Sequence, residues 1–252
     1  MLRFSLTAAI IGQIDDQQHG EKGMAAETDT TRLKRAALWD LDGVLVDSAE
    51  VHYRAWLQAL DEDAHLFTLQ RFHATFGTTN RAVLLDLFDN QISEQKIDYI
   101  STQKKEYFNQ LIYDNAKLMA GVYDWLEYFQ SQGVKQAVAS SANSEYIEQI
   151  VVHVGIAHFF KVVLSAEKMR SKPQPDVFLA AATQLDALPE NCIVFEDALA
   201  GIQAAKRAGM HCVAIASTHT PSALQSADII ITSFQELMKA QVQSLWDKGV
   251  MK

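Results

Sequence analysis

The sequence predicts an α/β protein: a doubly wound parallel sheet whose first strand is separated from the others by a helical insertion. Three observations carry this expectation. A short apolar run, RAALWD, ends on Asp40 and a glycine turn, as a buried strand does where it stops at a loop. From there to about Met119 the apolar residues recur at helical spacing. After Gly121 strand-like and helix-like segments alternate, which implies parallel strands with helices on both faces of the sheet.

Taken in order, residues 1–31 are mostly polar and without periodicity, and read as a disordered leader; Met24 offers an alternative start. The first segment, MLRFSLTAAIIGQIDD, has one arginine and a short apolar stretch but no small-x-small cleavage pattern, so export is not expected. The helical block is marked by Val51, Ala55 and Leu57 to Leu60, then Val83, Leu84, Leu87 and Phe88, then Ile97 to Ile112. No strand is expected within it. The later strands are KQAVAS, FKVVLS, CIVFED, HCVAIAS and ADIIIT, and the helices between them are SEYIEQIVVHV, PDVFLAAATQL and AGIQAAKRAG. A core domain of 32–47 and 120–252, with a helical cap of 48–119, follows. The cap should lie over the carboxyl ends of the strands, where open parallel sheets bind their ligands.

Composition narrows the partners. The chain of 252 residues is 48% hydrophobic and 21% charged, and its formal charge of −9 gives no electrostatic attraction to nucleic acid or anionic membrane. No apolar stretch approaches the roughly 20 residues that span a bilayer. Cys192 and Cys212 both sit in strand-like runs and are expected to be buried thiols, in keeping with a reducing cytoplasm. Without a heptad or repeated interface pattern, a monomer is the simplest assembly.

The polar residues at the strand ends point to chemistry. Asp40 and Asp42 follow the first strand, Ser140 ends KQAVAS, Lys172 lies in the SKPQPD loop, and Glu196 and Asp197 end CIVFED. In a parallel sheet these ends share one edge. Four carboxylates there repel one another unless a hard, oxygen-bound cation joins them, and Mg²⁺ fits best. Lys172 and the Ser140 hydroxyl then supply donors for a phosphate. One aspartate attacks phosphorus, while the second reaches the leaving oxygen as general acid and base. Asp47 reads as a helix N-terminal carboxylate.

Those motifs, DLDGVLVDS, AVASSAN, SKPQPDVF and FEDALAGIQAAKRAG, occur in the order of the haloacid dehalogenase superfamily, and the chain resembles its β-phosphoglucomutase-like branch, which carries a helical cap. The resemblance covers 36 to about 235. It implies a Rossmann-like core, Asp40 as the nucleophile that forms an aspartyl-phosphate, Asp42 as general acid and base, and Ser140 and Lys172 on the phosphate. Ser141 is the weaker candidate beside Ser140. It also implies Mg²⁺ held by Asp40, the Asp42 carbonyl and Asp197, with Glu196 acting through a water. Many relatives carry a further aspartate where this chain has Ala200 and Gly201, and Trp39 stands where phenylalanine or leucine is common. His52 matches a histidine that faces the active site in relatives. GTTNR either caps a helix or places Arg81 on the nonreacting end of the substrate, and the second is preferred. Lys104 and Lys105, in QKKEYFNQ, read as a solvated face.

Within the family the implied reaction is a phosphatase or a phosphomutase acting on a small sugar or polyol phosphate. In mutases the cap usually reads Gly-x-Ser-Arg, whereas Gly77 and Arg81 stand one residue further apart, which favours the phosphatase. Asp42 argues against dehalogenase and phosphonate-cleaving chemistry, which lack it. A noncatalytic binding protein should have lost at least one of Asp40, Asp42, Lys172 and Asp197, and none is lost.

Overall fold

Continuous apolar runs form strands, and among the described residues six lie in one parallel sheet, the four inner ones buried on both faces. The computed structural model describes residues 34–76 and 78–250; the expected leader, 1–31, and Gly77 lie outside them. The first segments are β1 (Ala36–Trp39), β2 (Val46–Asp47), α1 (Ala49–Leu60), α2 (Leu69–Thr75), α3 (Asn80–Leu87), α4 (Glu94–Asn115) and β3 (Lys117–Leu118). Then come α5 (Val122–Ser131), β4 (Lys135–Ser140), α6 (Ser144–His153), β5 (Val162–Ser165), α7 (Asp176–Gln184) and β6 (Cys192–Glu196). The chain continues through α8 (Leu199–Arg207), β7 (His211–Ile215), β8 (Ile229–Ile231) and α9 (Lys239–Val250).

The sheet order is β5-β4-β1-β6-β7-β8 with every pairing parallel, so the doubly wound class read from the sequence holds. Side chains alternate between its faces. Trp39, Val138, Phe195 and Val213 pack on one side with residues of α5, α6 and α9; Leu38, Ala139, Val194 and Ala214 pack on the other with residues of α7 and α8. The chain winds outward from β1 to β4 and β5, then returns to β6 on β1's other side. The carboxyl end of β1 is therefore the switch point where such sheets bind ligands.

Trp39 fits at that point because its ring lies parallel to Phe195 at 4.0 Å and its indole N–H donates to Gln136 Oε1 at 3.1 Å. Gln136 in turn donates to the Leu126 carbonyl at 2.9 Å, so this buried polar chain is satisfied. Cys192 and Cys212 are free and buried, as expected, and burial raises both thiol pKa values, Cys192 to about 12.

The segment between β1 and α5 builds a hydrophobic cluster of its own from Trp56, Leu60, Phe67, Phe72, Leu84 and Ile97. Three of its helices are capped by side chains: Thr68, Thr79 and Ser93 accept from the backbone N–H of Arg71, Ala82 and Lys96. The expectation of no strand there needs correction, because β2 and β3 pair antiparallel where the chain leaves the sheet and where it returns. Asp47 accordingly belongs to β2 opposite Lys117, and Ser48 takes the position before α1.

Candidate active site

Asp40 continues β1, donating its backbone N–H to the Phe195 carbonyl at 3.0 Å. Its side chain is nearly buried and accepts from Lys172 Nζ at 2.5 Å on Oδ1. Lys172 reaches in from the loop after β5 and also donates to Glu196 Oε1 at 2.6 Å. Arg207 of α8 braces that loop through the Pro173 carbonyl at 3.0 Å. Burial works against the Lys172 charge, yet the Asp40 and Glu196 carboxylates outweigh it and raise its pKa, so the ammonium persists.

Glu196 ends β6 and is held on both oxygens, for Oε2 accepts from the backbone N–H of Asp197 and Ala198 at 2.8 Å each. The carboxylate packs against Gly201, where any Cβ would stand 1.7 Å from Oε1. Asp197 accepts on Oδ2 from Thr218 Oγ1 at 2.6 Å and Ser217 Oγ at 3.4 Å, and Ser217 also donates to the Gly43 carbonyl at 2.8 Å. Gly43 has φ of +80°, and a Cβ there would meet Asp197 Oδ2 at 2.2 Å, so only glycine makes this turn without strain or clash.

Two residues beyond Asp40, Asp42 stands in a different setting. Its Oδ1 accepts from Ser48 Oγ at 2.7 Å and from Tyr146 Oη at 2.9 Å, while His52 Nε2 faces it at 3.7 Å. Burial alone would raise the Asp42 pKa, but His52, Ser48 and Tyr146 together hold it below the ordinary value. His52 stacks on Phe108 at 4.2 Å, and its Nδ1 lies 2.9 Å from Lys104 Nζ. With Lys104 as donor, Nδ1 accepts and the neutral ring presents Nε2–H toward Asp42. Burial and then Lys104 lower the His52 pKa, which favours that neutral ring.

Ser140 is buried at the end of β4, where its Oγ accepts from Ala142 N at 3.1 Å; Ser141 is exposed. Arg81 is not brought to the site. It is exposed on the insertion and forms a two-pronged ion pair with Glu94. Lys105 is exposed as expected, but Lys104 is buried under Trp56 and Phe108, contrary to the solvated face read from its sequence. The signal was present, since Lys104 falls on the stripe Ile97, Ile100, Phe108 and Ile112 at helical spacing. Tyr146, Ser48, Ser217 and Thr218 were also missed, although the last two follow the end of β7 in the manner used to find the others.

The charges bear on a cation. Burial first, then Glu196 and Asp42, push Asp40 up to about 7 against the pull of Lys172; burial, Glu196 and Asp40 raise Asp197 well above the usual range. Among the described residues no three His, Cys, Asp or Glu side chains cluster as metal ligands, but the implied set asks for only two, with a backbone carbonyl. Asp40 Oδ2 and Asp197 Oδ1 accept no hydrogen bond from the described residues, whereas buried side-chain polar atoms there are all partnered. A hard divalent ion fits two crowded carboxylates with a free oxygen apiece.

Residues 37–215 match the model of the haloacid dehalogenase-like hydrolases, a span that includes Asp40, Asp42, Ser140, Lys172, Glu196 and Asp197. The chain belongs to that family. It is 28% identical over 206 residues to the validoxylamine A 7'-phosphate phosphatase of Streptomyces hygroscopicus subsp. limoneus, covering 81% of this chain and 96% of that one. The 5-amino-6-(5-phospho-D-ribitylamino)uracil phosphatase of Arabidopsis thaliana is also 28% identical over 84% of this chain, which spans 57% of that protein's length. Among solved structures, β-phosphoglucomutase from Clostridium difficile superposes with a TM-score of 0.72 at 25% identity, covering 87% of this chain and all of that one. Among the described residues no helix is long and apolar enough to cross a membrane.

Proposed function

We propose that this haloacid dehalogenase-like protein is a Mg²⁺-dependent phosphotransferase acting on a small phosphorylated metabolite, and first of all a sugar-phosphate phosphatase. One observation carries the reading: two carboxylates at the switch point, Asp40 and Asp42, have separate sets of partners. Asp40 faces the Lys172 ammonium, as a nucleophile approaching a phosphoryl dianion requires. Asp42 faces hydroxyls and a histidine, as a proton carrier requires.

In this reading Asp40 attacks phosphorus and becomes an aspartyl-phosphate, while Asp42 protonates the departing oxygen and then takes a proton from the incoming water. A phosphate dianion beside Asp42 raises its pKa by like charge and so favours the acid form. Lys172 and Ser140 bind the phosphoryl oxygens. Asp40, Asp197 and the Asp42 carbonyl would hold Mg²⁺, with Glu196 acting through a water. The ion supplies charge neutralisation for the carboxylates and the phosphoryl group. The helical insertion, with its own core, serves as a cap that closes over the substrate and excludes water.

Names of relatives include two phosphatases of phosphorylated small molecules, and the exposed Arg81–Glu94 pair agrees with the departure from the mutase pattern. A second reading, β-phosphoglucomutase, is favoured by the buried His52–Lys104 pair beside Asp42, which offers polar contacts to a reoriented sugar, and by the fold match. Phosphorus NMR with Mg²⁺, β-glucose 1-phosphate and a trace of glucose 1,6-bisphosphate separates them. Inorganic phosphate, absent with Asp40→Asn, supports the phosphatase, and glucose 6-phosphate supports the mutase. Phosphate release undiminished in Asp40→Asn refutes the aspartyl-phosphate route.

A further inference from the structure

The Tyr146 hydroxyl has no part in the steps above, yet it touches their proton carrier. Its side chain lies on the first turn of α6, is 6% exposed, and packs edge-on against Phe108 of α4 at 5.3 Å. Phe108 stacks in turn on His52, so the ring of Tyr146 is clamped between the core and the insertion. Burial, followed by the neighbouring Asp42 charge, raises the phenol pKa, and Tyr146 remains a hydrogen-bond donor.

Both hydroxyls, from Tyr146 at 2.9 Å and from Ser48 at 2.7 Å, donate to one atom, Asp42 Oδ1. Oδ2 accepts none from the described residues. A carboxyl oxygen that already accepts two hydrogen bonds is the poorer place for a proton, so the acid form of Asp42 carries it on Oδ2. We propose that Tyr146 is a positioning residue: its hydroxyl, with that of Ser48, fixes the rotation of the Asp42 carboxyl so that Oδ2 delivers the proton. The inference rests on the reading of Asp42 as general acid and base.

The step balances. As a bond forms between an Asp40 oxygen and phosphorus, the bond from phosphorus to the leaving oxygen breaks. The proton on Asp42 Oδ2 passes to that oxygen, and Asp42 remains as the carboxylate that Tyr146 and Ser48 continue to hold. In Ser48 the hydroxyl forgoes the usual cap of α1 and donates to Asp42 instead. In Tyr146 the rigid ring and its packing leave little freedom to point elsewhere.

The test uses Tyr146→Phe, which keeps the ring and removes the donor, beside wild type and Asp42→Asn in Mg²⁺. Two probes are compared through kcat/KM: fructose 1-phosphate, whose alcohol leaves poorly without a proton, and 4-nitrophenyl phosphate, whose phenolate needs none. Tyr146→Phe should lower kcat/KM about 10- to 100-fold for the sugar phosphate, the worth of a hydrogen bond to a charged group, and far less for the aryl ester. Because both probes are read on one preparation, a partly unfolded variant lowers them equally and leaves their ratio intact. Tyr146→Met, which also lacks the donor, serves if the phenylalanine variant does not fold.

Equal falls for both probes, or none, in a background where Asp42→Asn does separate them, overturn the inference and leave Asp42's role standing. If Asp42→Asn separates nothing, the acid–base reading itself fails and the inference falls with it.

Discussion

Exchanging Gly201 for alanine should destabilise this protein, although in most helices that change does the opposite. At an ordinary interior position of α8 the gain would be about 0.5–1 kcal/mol. Here the added methyl would stand 1.7 Å from Glu196 Oε1, 2.0 Å from its carboxyl carbon and 2.6 Å from Oε2. The carboxylate cannot swing aside cheaply, because it is buried, Lys172 holds one oxygen, and two backbone N–H groups hold the other. Each hydrogen bond to a charged group is worth about 1.5–3 kcal/mol. Losing one or two of them, less the helix gain, leaves a net cost of about 0.5–5.5 kcal/mol. Urea unfolding of wild type, Gly201→Ala, Glu196→Ala and the double variant measures it as a cycle. In the Glu196→Ala background the obstruction is gone, and Gly201→Ala should turn stabilising. A Gly201→Ala protein as stable as wild type, or a cost that survives removal of Glu196, would refute the reasoning.

Three further outcomes follow from the site's charges. Burial lowers the Lys104 pKa to about 8 from 10.5, so its charge costs stability at neutral pH and the cost fades as pH rises between those values. Lys104→Met should therefore raise the free energy of urea unfolding at about pH 7, by up to about 3 kcal/mol, and by much less near pH 10; a gain independent of pH would sink this account. Metal-free protein should lose stability as pH rises from about 4 to 7, since folded Asp40 keeps a proton that the unfolded chain releases. Added Mg²⁺ should then raise Tm more at about pH 8 than at about pH 5, where protons compete for the same carboxylate; equal shifts contradict it. Arg81→Ala should barely change stability, as loss of an exposed ion pair does, and leave KM for a cleaved sugar phosphate within about threefold; a tenfold rise would place Arg81 on the substrate.

Much of this was legible in the sequence because strands buried on both faces read as unbroken apolar runs, and their parallel order gathers their ends. Asp40, Asp42, Ser140, Lys172, Glu196 and Asp197 were found that way. What escaped was of two kinds. Lys104 and Tyr146 are polar groups on apolar stripes, and composition alone makes a lysine beside a lysine look solvated. The two-residue strands β2 and β3 are too short for any period to register, and pair only because the fold brings Val46 beside Leu118. Glu94, thirteen residues after Arg81, is a partner for it that the spacing does not reveal.

The β2–β3 ladder has a topological consequence. Asp47 pairs with Lys117 and Val46 with Leu118, and Met119 N donates to the Leu45 carbonyl at 3.0 Å. The points where the chain departs and returns are thus stitched side by side, so to the sheet the whole stretch 48–116 is equivalent to the turn of a hairpin. Because closure entropy grows only slowly with the length between fixed ends, a turn of that length costs the strands it joins little more in closure entropy than a short one would. The seam is two residues long, and the insertion also packs on the core through Val51, Ala55, Phe108 and Ile112.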